Sequence, residues 1–140
     1  FGLSAIHTRK HMLRAVMEGV SYSMKDCNDI LKEMGVEVDD MMACGGGGRS
    51  AVWRQMLADM YGCTVKTVAA KEGPALGVAI LAGVGAGIYD SVEAACEKMI
   101  HTDKSCDPIP EHTAKYEEYH KIYKNLYTCL KDQYKELAKL

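Results

Sequence analysis

At 140 residues, 48% hydrophobic and 26% charged, the chain has the size and balance of one compact unit, which excludes a disordered or fibrous class. A net charge of −2 gives no basic field for nucleic acid or an anionic membrane surface, so neither is expected as a partner. Six cysteines lie far apart with no C-x-x-C pair, which favours small apolar thiols in a reducing cytoplasm over a metal or disulfide role.

The chain opens at Phe1 with no positively charged leader, so it reads as a piece of something longer. The first helix is expected over residues 8–34. Leu13, Val16, Met17, Val20, Met24, Cys27, Leu31 and Met34 recur at three and four, which predicts one long buried face. Thr8 can cap its start, and Gly35 follows its end where a left-handed residue is wanted. Residues 41–44 are a short apolar run that suits a buried parallel strand.

Next come Gly45-Gly46-Gly47-Gly48-Arg49-Ser50 and a helix over 51–61, with Ser50 as N-cap and Gly62 closing the far end. Residues 64–68 are β-branched and read as a second strand. After a turn at Lys71-Glu72-Gly73, Pro74 suits the first position of a third helix. The apolar run 73–89 falls short of the roughly 20 residues of a membrane span and predicts a buried helix. Ala75, Ala79, Gly83 and Gly87 fall four apart on it, which predicts close packing.

A short helix should start near Asp90 or Ser91, with Glu93 available for a capping box. Residues 101–110 read as a connection with room for a short edge strand, and the last helix is expected over 111–139. Its stripe is Tyr116, Tyr119, Tyr123, Leu126, Leu130, Tyr134 and Leu137, and packing on its own domain is favoured over a coiled coil. Cys27, Cys44 and Cys96 fall on positions expected to be buried. The order helix, strand, helix, strand, helix is an α/β order.

The strand–glycine–helix unit from Met41 to Tyr61 is the most specific feature. Glycines there let the backbone approach a ligand, and the helix start that follows favours an anion such as phosphate. A Walker loop is excluded, because Arg49 replaces its lysine and Ala43 its first glycine. A dinucleotide fingerprint fails too, since Ser50 takes the third glycine position. A tight turn that holds no ligand is the plainer alternative.

The run Ala43-Cys44-Gly45-Gly46-Gly47-Gly48-Arg49-Ser50, with Trp53-Arg54-Gln55, Ala58-Asp59, Gly62 and Val65, resembles the adenosine motif of the FGGY carbohydrate kinases. Glu72-Gly73-Pro74-Ala75-Leu76-Gly77-Val78-Ala79 is similar to that family's later E-x-x-A-L-G-A-A stretch, and residues 8–20 resemble its helix before the adenosine motif. Trp53-Arg54-Gln55 is most like the xylulose kinases. The resemblance covers most of the chain and fades into the tyrosine-rich last helix.

It implies an α/β fold, the carboxyl-terminal domain of an actin-like (ribonuclease-H-like) ATPase, here truncated and rich in helix, with residues 1–140 as its nucleotide-binding part. The Gly46, Gly47 and Gly48 backbone would lie along the phosphates and ribose of ATP, and Arg49 and Ser50 would border the adenine. Gly77 would pack its helix close under the site, whereas Asp59 and Gln55 suit packing or hydrogen bonding rather than chemistry. Gly48 stands where alanine is common, a departure expected to matter little.

The resemblance assigns the catalytic aspartate, the sugar pocket and most of the Mg²⁺ contacts to an amino-terminal part. No catalytic or metal residue is therefore expected in this chain, and alone it should be inactive. Asp39 and Asp40 lie at the wrong end of their strand, and Glu72, on the correct side, suits helix-start electrostatics better than a metal link. His7, His11, His101, His112 and His120 lack zinc-like spacing. The expected whole is an ATP-dependent sugar kinase acting on xylulose, with self-association or a partner chain covering surfaces this piece exposes. A regulatory nucleotide-binding module, or an interaction domain resting on the last helix, are the competing readings.

Overall fold

The computed structural model describes residues 1–69 and 73–140, so Glu72 and most of the turn expected beside it lie outside the described residues. The elements are α1 (Arg9–Glu33), β1 (Asp40–Met42), α2 (Gly45–Arg49), α3 (Ala51–Tyr61), β2 (Thr64–Val68), α4 (Gly73–Gly85), α5 (Val92–Met99), β3 (Thr102–Cys106) and α6 (Pro110–Leu137). They fall into two compact units. One comprises Phe1–Glu37, Asp59–Gly62 and Pro108–Leu140; the other comprises Val38–Ala58 and Cys63–Asp107.

In the first unit, α1 starts after Thr8, whose backbone N–H donates to His11 Nδ1 at 3.0 Å. It ends as its glycine predicts. Gly35 takes φ +83°, its N–H donates to Lys32 O, and Val36 N–H donates back to Leu31 O at 3.0 Å. The buried face of α1 differs from the expected one. Ser21, Tyr22, Lys25 and Asn28 are buried, while Leu13, Val16, Val20, Met24, Leu31 and Met34 stay exposed.

The reason is that α6 docks on a mixed aromatic and polar face beside the apolar stripe. Tyr22 stacks on His120 at 5.5 Å and on Tyr123 at 5.1 Å, and Arg14 Nη2 donates to the Tyr116 hydroxyl at 2.7 Å. Lys25 is paid for by Glu117 at 2.7 Å and Asp29 at 3.4 Å. Along α6 the expected stripe is only partly covered: Tyr116 is buried, Tyr123, Leu126 and Leu130 are half-buried, and Tyr119, Tyr134 and Leu137 are exposed.

The second unit holds the sheet, in the order β1-β2-β3. β1 and β2 are parallel, with Asp40 opposite Thr64, and β3 adds antiparallel to the other side of β2. β2 is the central strand. Its Val65 and Thr67 are buried, while Thr64, Lys66 and Val68 are half-buried, the alternation expected when one face of the sheet is better covered than the other. Lys66 also forms an ion pair with Asp40.

α4 departs most from expectation. It is nearly all apolar, yet only Ile80 and Gly83 are buried, and Val78 and Leu81 are exposed. Of the predicted small-residue row, only Gly83 is closely packed: a Cβ there would lie 2.9 Å from the Tyr89 ring. Gly77 faces open space, so it packs against nothing described. Among the described residues no helix is long and apolar enough to cross a membrane.

Ser91 caps α5, accepting from Ala94 N–H at 3.1 Å. The cysteines are also redistributed: Cys63 is buried, Cys96 is half-buried, and Cys27 and Cys44 are exposed. Cys27 sits on the uncovered side of α1 and Cys44 on the turn after β1, which explains both.

Candidate functional site at the glycine turn

Parallel strands put their carboxyl ends on one edge, and a chain leaving β1 there must turn sharply to start a helix. The four glycines make that turn, but they do so as a short helix, α2, rather than as an open loop. Three of the four have a reason to lack a side chain. Gly45 takes φ +75°, a conformation that other residues resist. A Cβ on Gly47 would lie 3.2 Å from the Trp53 ring, and one on Gly48 would lie 2.7 Å from the Ala43 carbonyl oxygen. Gly46 has no such reason, since no described atom stands within 4 Å of the place its Cβ would occupy and its φ is not positive.

The Gly48 geometry corrects the expectation that alanine there matters little. Even one methyl would require the Ala43 backbone to move. Ser50 breaks the helix between α2 and α3 with ψ 115°, and its hydroxyl accepts from Trp53 N–H at 3.3 Å, as its predicted capping role requires.

A cleft of about 230 Å³ opens at the carboxyl ends of β1 and β2. Ala43, Cys44, Gly45, Gly48 and Arg49 form one wall, Thr67, Val68 and Ala69 a second, and Gly73, Arg54, Asp103 and Lys104 complete it. This is the edge at which open α/β sheets take ligands. Of the five residues singled out in the sequence, Gly48 and Arg49 line the cleft. Gly46, Gly47 and Ser50 belong to the same turn without lining it.

Sequence reasoning missed Arg54, Thr67, Asp103 and Lys104. Arg54 carried a signal that could have found it, a cation one turn into a helix whose neighbours are apolar. It is 5% exposed and its Nη1 donates to Gly48 O at 2.6 Å. Asp59 and Gln55 have structural partners. Asp59 Oδ1 accepts from Ile109 N–H at 2.9 Å and Oδ2 meets His112 Nδ1 at 2.9 Å; Gln55 Nε2 donates to Asp107 O at 2.9 Å.

Away from the turn, in the first unit, Asp26, Asp29 and His120 bring one ligand atom each within 4.8 Å. His120 is buried, with Nε2 2.8 Å from Asp26 Oδ1, so it is no surface histidine. Burial pushes the Asp29 carboxyl up, but Lys25 and Lys124 outweigh it and hold the group below its usual range. A cation placed there would compete with two ammonium groups already in position.

A family model described as the C-terminal domain of the FGGY family of carbohydrate kinases matches residues 1–86. The chain belongs to the FGGY family. A xylulose kinase of Bacillus subtilis is 36% identical over 131 residues, which is 94% of this chain and 26% of that protein. An autoinducer-2 kinase of Salmonella paratyphi B is 36% identical over 118 residues, 83% of this chain and 22% of that one. The solved structure of a ligand-bound xylulose kinase from Lactobacillus acidophilus superimposes with a TM-score of 0.88 at 24% identity, covering 97% of this chain and 28% of that one. The chain thus spans about a quarter of the FGGY relatives it matches. The fold is the α/β carboxyl-terminal domain of the actin-like sugar kinases, dominated by helix with a small sheet.

Proposed function

We propose that this chain is the nucleotide-binding, carboxyl-terminal part of an ATP-dependent carbohydrate kinase, and that the whole protein transfers the γ-phosphoryl group of ATP to a hydroxyl of xylulose in the cytoplasm. The observation that carries this reading is Gly46. Nothing described would meet a side chain there, so at the carboxyl-end edge of the sheet, beside the cleft, the bare backbone is open to a ligand.

In this reading the Gly46, Gly47 and Gly48 backbone follows the phosphates and ribose, and Arg49 and Ser50 border the base. Mg·ATP, when bound, supplies the transferable phosphoryl group with part of its charge already offset. The described cleft residues suit the anion better than the metal, since they offer one carboxylate, Asp103, among the cations Arg49, Arg54 and Lys104. Mg²⁺ therefore belongs on the phosphates and mainly on groups outside this chain, and the carboxylate that accepts the sugar proton also lies outside it. The isolated chain is accordingly inactive. Xylulose is favoured over other substrates by the identity to xylulose kinases across nearly the whole chain.

Calorimetric titration of Mg·ATP into the 140-residue chain and into Gly46→Val tests the site. No described atom lies within 4 Å of the Cβ that valine adds, so the fold should survive, as circular dichroism would verify. Saturable binding that the variant loses supports the reading. Equal binding by both chains would remove the glycine turn as the nucleotide site.

A further inference from the structure

We propose that Arg54 is the anion-reading residue of the cleft, receiving the phosphate part of the ligand on a guanidinium that also fixes the shape of the glycine turn. The proposal rests on the nucleotide reading above for the molecule that carries the phosphate.

Arg54 is 95% removed from solvent, and a cation in that position is costly unless it is paired. Only part of its donor capacity is used. Nη1 donates to the Gly48 carbonyl at 2.6 Å, while Nε is enclosed with no hydrogen-bond partner among the described residues. Among the described residues no carboxylate forms an ion pair with it.

Among the described residues the same guanidinium lines the cleft with two further cations, Arg49 and Lys104, and one carboxylate, Asp103. Three cations against one anion make this pocket locally positive in a chain whose net charge is −2. A neutral or apolar occupant would leave the buried charge unmatched. A phosphate oxyanion matches it, and the planar fork of arginine suits phosphate geometry. At about 230 Å³ the cleft has room for a group of diphosphate size.

The bond to Gly48 gives the residue a second consequence. Gly48 cannot carry a side chain, because the Ala43 carbonyl stands 2.7 Å from its Cβ position. The turn is therefore held from one side by Ala43 and from the other by Arg54. An anion that draws on the guanidinium acts on the turn through a single hydrogen bond.

The test compares inorganic pyrophosphate, ADP and adenosine by calorimetry on the parent chain, Arg54→Met and Arg54→Lys, with folding checked by thermal melts. The expected result is that pyrophosphate and ADP bind the parent and weaken at least about tenfold in Arg54→Met, while adenosine binding is unchanged. Lysine should restore part of the loss. Equal weakening of ADP and adenosine would reduce Arg54 to shaping the turn and overturn the proposal, as would unchanged ADP affinity. Binding of adenosine and ADP without pyrophosphate would overturn it while leaving the nucleotide reading intact. If none of the three binds, both fall. Should Arg54→Met fail to fold, melting the parent in sulfate against chloride at equal ionic strength decides: specific stabilisation by sulfate that Arg54→Lys diminishes supports the site, and its absence overturns it.

Discussion

α3 and α4 are of similar length, and their compositions predict the opposite of what they do. α3 mixes Arg54, Gln55 and Asp59 with its apolar residues and is nevertheless buried from Met56 to Tyr61. α4 carries no charged residue and leaves Val78 and Leu81 more than 60% exposed. A helix that is apolar all round belongs in an interior. The contrast teaches that this chain meets the packing needs of α3 from its own residues and those of α4 only in part. Apolarity reports what a helix requires, not what the chain in hand provides.

Paired truncations put the contrast under the greatest strain. Met60→Ala removes a fully buried side chain and should cost about 2–5 kcal/mol in denaturant unfolding. Leu81→Ala, 63% exposed before the change, should stay within about 0.5 kcal/mol of the parent. Similar losses at both sites would mean that α4 is covered in solution, by a second copy or by its own movement, and sedimentation at rising concentration would separate those two.

The polar residues of α3 sharpen the comparison at intermediate scale. Asp59→Ala leaves the Ile109 N–H and the His112 ring without their acceptor and should cost about 1–3 kcal/mol. α4 has no polar side chain able to produce such an effect. A neutral Asp59→Ala would show that the start of α6 finds other partners.

α1 is intermediate in burial, with a polar face that α6 covers and an apolar one left open. Its smallest expected signature is in pH. The Asp29 carboxyl is held below its usual range, so its contribution is present above the unfolded value near pH 4 and is lost as pH falls through the lower folded value. Asp29→Asn should lower the neutral plateau by about a few tenths of a kcal/mol and flatten the acid limb by the same amount, so that parent and variant converge in acid. An unchanged acid limb would assign it to other carboxylates.

What could be read from the sequence was local. Gly35 and Gly62 end helices with positive φ, Ser50 and Ser91 accept from the first turn of theirs, and the edge strand after residue 101 pairs where it was expected. Each signal depends on a few neighbouring residues. Burial does not. Val16 and Cys27 were expected inside because of their spacing, but whether a stripe is covered depends on a surface elsewhere, and α6 chose the face of Tyr22 instead. At the site, the glycines announced the turn by their number. Arg54 and Lys104 come together only through β2–β3 pairing and the pitch of α3, which no short window of sequence contains.

The contact between Gly47 and Trp53 has an optical consequence. Trp53 is the only tryptophan in the chain, and its ring edge lies 3.2 Å from the position of a Gly47 Cβ. The chain therefore carries one indole, excitable apart from its tyrosines and seated against its own glycine turn. Shifts in that emission read the turn directly, with no label added and no second indole to subtract.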